Sequence, residues 1–235
     1  LISQIFQGIT ASYGNYLISH CLDDAYILFK NIYFVNFWIA TFCSTALMGL
    51  ISSFISLWIG EEYILSCFIV GVLIWNFYSD MMRSSVELVR NAYGLYSPYP
   101  FFKYWIFIEA IINIIFSLLL GYWIGIIGVF IGTAISAFIS CYVMPWNLYK
   151  YVFKRSSKQF YKDYMKYQAK SVFIVLIVYY LCNIINIQNI YFEFILKILV
   201  VIIVPNFMLF IFSRNSNEFQ FLKNILLKRV FKYRI

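Results

Sequence analysis

Seven stretches of this chain are apolar for long enough to cross a lipid bilayer, which takes roughly 20 residues of helix. No other feature of the sequence limits its fold so sharply. They run over about 1–20, 32–59, 63–82, 102–122, 124–148, 171–188 and 190–212. One soluble core could not absorb them: 63% of the residues are hydrophobic and 12% charged, against roughly half and a quarter in soluble domains. A soluble protein needs a water-facing shell, and this chain has too few polar residues to build one. The expected fold class is therefore all-α, a polytopic transmembrane helix bundle of about seven spans. The first stretch is the most polar, with Gln4, Gln7, Thr10, Ser12, Gly14 and Asn15, and suits the wall of a wet cavity better than lipid.

The basic residues then set an orientation. Lys30 follows the first stretch, and Arg83, Arg90 and Lys103 lie around the connector after the third. Lys150, Lys154, Arg155, Lys158, Lys162, Lys166 and Lys170 follow the fifth, and Arg214, Lys223, Lys228, Arg229, Lys232 and Arg234 follow the seventh. All but one of the 18 lysines and arginines thus fall in alternate connectors, and Lys197 alone sits inside a stretch. Basic loops stay in the cytoplasm, which places the carboxy terminus there too. The net charge of +8 is explained by this rule. No basic groove with interleaved aromatic residues, of the kind that holds a nucleic-acid strand, is present in the pattern, so a nucleic-acid partner is not expected.

Four regions follow: residues 1–149 with five spans, a basic cytoplasmic connector at 150–170, two further spans at 171–213 and a basic tail at 214–235. The connector spaces its lysines among Tyr and Phe, and the tail sets Phe221, Ile225 and Leu226 among basic residues. Each suits a helix lying on anionic lipid, with a solvated loop as the alternative for the connector. The chain opens at Leu1 without an initiator Met, and is expected to be the carboxy-terminal part of a longer polypeptide.

Polar residues at membrane depth are costly and point to function unless packing explains them. Glu109, Asn113 and Ser117 form an i, i+4 stripe in the fourth stretch, suited to line a cavity, couple an ion or tie neighbouring helices. Asp80, Arg83, Glu87 and Arg90 alternate in sign along one face of the third. They would form either a solvated ion-paired face or a cytoplasmic mouth where Arg83 and Arg90 meet an anionic headgroup, because a guanidinium fork matches phosphate. Glu193 and Lys197 are spaced for an intrahelical pair, and Pro205 interrupts the same helix. Gly128, Gly132, Ser136 and Ser140 recur every four residues, a small-residue stripe for close helix packing. Cys21, Cys43, Cys67, Cys141 and Cys182 lack metal-ligand spacing, and no nucleophile motif or phosphate loop occurs. Neither an enzyme nor a resident metal or cofactor is expected.

Several segments resemble the polysaccharide (O-antigen and capsule) flippases of the multidrug/oligosaccharidyl-lipid/polysaccharide exporter superfamily. They are ITASYGNYLIS at 9–19, FISLWIGEEYIL at 54–65, VRNAYGLY at 89–96 and EAIINIIFSLLLGYWIGIIGVFIGTAIS at 109–136. The resemblance covers about residues 1–150. The chain departs from the family's pattern at Ser97-Pro98-Tyr99-Pro100, where charged residues are usual, and at Met144, where an acidic residue often precedes proline.

The resemblance implies most of the second lobe plus two extra helices of a 14-span transporter of the bacterial cytoplasmic membrane. It implies movement of an undecaprenyl-diphosphate-linked oligosaccharide by alternating access, with Arg83, Arg90, Glu109 and Asn113 as substrate-binding candidates. Expected partners are the lipid-linked oligosaccharide, membrane lipids and other membrane proteins of polysaccharide assembly. Whether a proton or a sodium ion couples the cycle is left open by the sequence. A drug or toxin antiporter of the same fold, and more remotely a polysaccharide polymerase, are the alternatives.

Overall fold

A backbone in hydrocarbon must satisfy its own N–H and C=O groups, and this chain does so with helices. The computed structural model describes residues 2–95 and 99–232. Among the described residues eight α-helices follow one another: α1 (Ile2–Ser19), α2 (Leu22–Trp58), α3 (Cys67–Ala92), α4 (Pro100–Ile124), α5 (Ile126–Leu148), α6 (Lys158–Ile184), α7 (Ile190–Ser213) and α8 (Asn217–Lys232). Local chemistry sets their ends. Asp23 and Asp24 lie in the first turn of α2, where negative charge meets the helix dipole favourably. Ser66 accepts from Ile69 N–H at the start of α3, and Asn189 accepts from Tyr191 and Phe192 N–H at the start of α7. Pro100 opens α4, a position where its missing N–H costs nothing. Gly125, at φ +69°, makes the sharp break between α4 and α5, a backbone conformation side chains disfavour.

Five of these helices, α2 and α4 to α7, are long and apolar enough to cross a membrane, so the chain is a multi-pass membrane protein by helix length and hydropathy. The other two expected spans form as helices but do not meet that measure. In α3 the second half carries Asp80, Arg83, Glu87 and Arg90. Half of α1's side chains, Gln4 and Gln7 included, lie outside the described residues. The outer face of α4 shows where lipid must be: Phe107, Ile111, Ile114 and Leu118 are all exposed.

The helix α2 is the hub of the packing, touching α3, α6, α7 and α8, while the α4–α5 hairpin attaches to α3 through α5. Phe29, Tyr33 and Phe37 of α2 meet Tyr149, Phe153, Phe160 and Tyr167 in an aromatic core. The small-residue stripe of α5 does what its spacing requires. A Cβ on Gly128 would overlap the Leu120 carbonyl, and one on Gly132 would lie 2.5 Å from Ser117 N.

Two expected boundaries move. The second span was expected from about residue 32, but α2 starts at Leu22 and has 37 residues, about 55 Å of helix, so part of it projects beyond the hydrocarbon. The basic stretch 150–170 is neither a free loop nor a separate surface helix. A π-type turn (Tyr149–Phe153) and Lys154 lead into α6, which runs unbroken through residue 170. Phe160, Tyr164, Gln168 and Ser171 form its buried face, with Lys158, Lys162 and Lys166 exposed. The tail forms α8, held to α2 by Lys30–Glu218 at 2.9 Å and by Phe219 stacked on Trp38. Ser97 and Pro98 of the expected rigid turn, the side chains of Ile225 and Leu226, and Arg234 lie outside the described residues.

The connectors that carry the basic residues come together at one end. Arg155 pairs with Asp23 at 2.7 Å, Tyr99 stacks on Tyr151, and Lys170 Nζ donates to the Phe212 carbonyl at 3.1 Å. At the other end Lys197 joins α7 to α2, donating to Ser53 Oγ at 3.1 Å and pairing with Glu193 at 2.5 Å. The intrahelical pair read from the spacing is therefore present, and it is tied inward to α2.

Candidate functional site

A largely buried arginine needs partners, because its charge is poorly solvated inside a protein. Arg83 has three. Its spacing on α3 puts Asp80 and Glu87 on the same face, and it meets Asp80 at 2.9 Å and Glu87 at 3.4 Å. Its third partner comes from another helix: Nη1 donates to Glu109 Oε1 of α4. The Arg83 and Glu109 side chains are only 18% and 22% exposed, whereas Asp80 and Glu87 are more open. Three carboxylates around one guanidinium leave the cluster with a formal charge of −2. Glu109 lies nine residues into α4, about 13 Å along it, well within its apolar length. A guanidinium has five donors in a rigid fork, so one arginine can hold all three carboxylates and make the cluster an ionic link between two helices.

The remaining candidates sit elsewhere. Asn113 turns toward α5: its Nδ2 donates to Ser136 Oγ at 3.1 Å, and its Oδ1 accepts from Ser117 Oγ at 3.1 Å. The polar stripe of α4 is therefore divided, with Glu109 directed to α3 and Asn113 and Ser117 to α5. Arg90 is 6% exposed, with Nε donating to Asn91 Oδ1 at 3.3 Å. It is packed into the bundle, not set on a solvated face as the alternating series suggested. The structure thus brings Arg83 and Glu109 together and leaves Arg90 and Asn113 outside that cluster's ion pairs.

A second polar region had no local signature. Asn36 of α2 is fully buried and its Nδ2 donates to the Met81 carbonyl and to Ser84 Oγ, at 3.1 and 3.0 Å. Nearby, Tyr33, Tyr78, Ser79 and Tyr164 bring buried hydroxyls from α2, α3 and α6 into the core. A cavity of about 180 Å³ opens between these helices, with Ser44, Tyr78, Gln168 and Ser171 among its lining residues, and its wall, with Met48, Trp75 and Leu176, is almost wholly apolar. Such hydroxyls and amides are the groups that buried water bridges. These groups come from three helices far apart in sequence, so only the assembly reveals the grouping.

Among the described residues no three His, Cys, Asp or Glu side chains are grouped to hold a metal ion. No protein-family model, no curated protein and no solved structure matches this chain.

Proposed function

We propose that this protein is a polysaccharide flippase, moving an undecaprenyl-diphosphate-linked oligosaccharide across the bacterial cytoplasmic membrane by alternating access. The motifs within residues 9–136 support the family. In this reading α1 and α3 also cross the membrane, giving seven spans that correspond to the last seven of 14, with α6 and α7 as the extra pair. The basic end of the bundle faces the cytoplasm.

The observation that carries the proposal is the Arg83–Glu109 link between α3 and α4. A diphosphate competes with Glu109 for the guanidinium, because phosphate matches the same fork. Substrate binding then exchanges one anionic partner for another and frees α4 from α3. Release of substrate restores the link, and Glu109 in its unpaired state is the group to take a proton or sodium ion. Asn113, tied to Ser136, keeps α4 and α5 moving as one hairpin. Arg90 adds positive charge near the cytoplasmic mouth.

Arg83→Lys, which keeps the charge but removes the guanidinium fork, is expected to abolish surface polysaccharide export while the protein remains at normal level in the membrane. Wild-type export from such cells overturns the assignment. One observation favours a second reading, a cation or drug antiporter: the cluster holds three carboxylates to one guanidinium. That reading predicts that Asp80→Asn with Glu87→Gln lowers resistance to cationic dyes and leaves polysaccharide export intact.

A further inference from the structure

The end of the bundle that gathers the basic residues holds a cleft that this transport cycle does not use. The chain leaves α5 beyond Pro145, widens into a π-type turn through Tyr149–Phe153, passes Lys154 in a left-handed conformation (φ +49°) and enters α6 at Lys158. A π-type turn of this kind is rare and frequently marks a functional site. Between the two helix ends lies a cleft of about 510 Å³ lined by Lys150, Lys154, Arg155 and Lys158, with Ser156 and Ser157 beside them and Trp146 at its edge. Among the described residues no carboxylate lines it.

The charges of this lining are mostly uncompensated. Asp23 pairs with Arg155, whose guanidinium also lies over the Tyr26 ring at 4.5 Å. The Lys150 ammonium rests over the rings of Trp146 and Tyr151 at 5.0 and 5.2 Å, contacts that position a cation without neutralising it. Lys154 and Lys158 are exposed and make no ion pair among the described residues. Three positive charges therefore share one concave site, and like charges at such range repel unless an anion enters. The backbone adds to this. Ser157 gives α6 no side-chain cap, and Lys158 N–H has only a long 3.4 Å contact to Ser156 Oγ, so the positive end of a 27-residue helix opens beside the lysines. Trp146 is about half exposed, and tryptophan belongs at the headgroup level of a membrane.

We propose that this cleft is a phosphate-anion site, with Lys150, Lys154 and Lys158 supplying charge and Ser156 and Ser157 hydroxyl donors. The proposal does not depend on the flippase reading, since it uses none of the α3–α4 cluster. The test measures thermal stabilisation of the purified protein in neutral detergent on titration with phosphatidylglycerol, and separately with inorganic phosphate. Stabilisation by the lipid alone assigns the phosphate to a lipid headgroup, and stabilisation by both assigns it to a free anion as well. In either case Lys154→Gln with Lys158→Gln should weaken the interaction about 30-fold, since each lysine at an anionic surface contributes a factor of roughly five. The pair Lys103→Gln with Lys223→Gln, at the same end but outside the cleft, should leave it within about twofold. Absence of stabilisation by either ligand, or equal loss in the two double variants, overturns the site.

Discussion

Arg83 and its carboxylates make an asymmetric test possible. Removing the guanidinium leaves three like charges facing one another, whereas Glu109→Gln leaves Arg83 with two acids. Arg83→Gln should therefore destabilise the protein more than Glu109→Gln. The difference should be about 1–2 kcal/mol, below the 3–5 kcal/mol of a fully buried pair because this one is partly open. Thermal unfolding in detergent measures it, and equal losses would show that the cluster is not one unit. Gly128→Val gives a second reading at this scale. Its side chain would meet the Leu120 backbone, so the loss should reach about 3 kcal/mol, the upper range for overpacking, while Asn113→Ala costs only about 0.6 kcal/mol, the mean for hydrogen bonds between membrane helices. The glycine stripe was legible in the sequence because its spacing is local to one helix. The Arg83–Glu109 partnership was not, because it depends on how α3 and α4 are set against each other. Each of the two residues suggested a site alone, and their meeting had to be seen.

Among the elements, α7 shows how a charge is kept inside an apolar helix. Lys197 is held by Glu193 on its own helix and by Ser53 on α2. Lys197→Met leaves Glu193 without its cation and should lower the melting temperature, whereas Lys197→Met with Glu193→Gln should recover most of the loss, because a pair removed together leaves no lone charge. A double variant as unstable as the single would show that packing against Ser53 matters more than charge. The apolar runs located the helices, and the misplaced boundaries share one cause. Residues 22–31 and 158–170 carry charge and were read as connectors, yet neither contains Gly or Pro. A charged stretch without a backbone breaker continues a helix when its apolar side chains find a core. Phe29 and Phe160 do this, both buried. The partners of that core lie far away in sequence, so periodicity alone could not separate a span's projecting end from a surface helix.

For the whole molecule, the alternation of basic connectors became a physical end of the bundle, fixed by Arg155–Asp23 and Lys30–Glu218. That much was legible because charge placement follows a rule of membrane insertion. The order in which the helices pack was not, since α2 holds its central place through aromatic contacts scattered along the chain. The central claim is an oriented bundle with its basic end in the cytoplasm, and two native cysteines can test it. Cys21 is exposed just before α2 and Cys67 is exposed at the start of α3, so the length of α2 separates them. Variants retaining only one of these cysteines can be treated with a membrane-impermeant maleimide. Cys67 should label in intact cells, and Cys21 only after the membrane is permeabilised. Labelling of Cys21 in intact cells, or of both cysteines from the same side, would contradict the account.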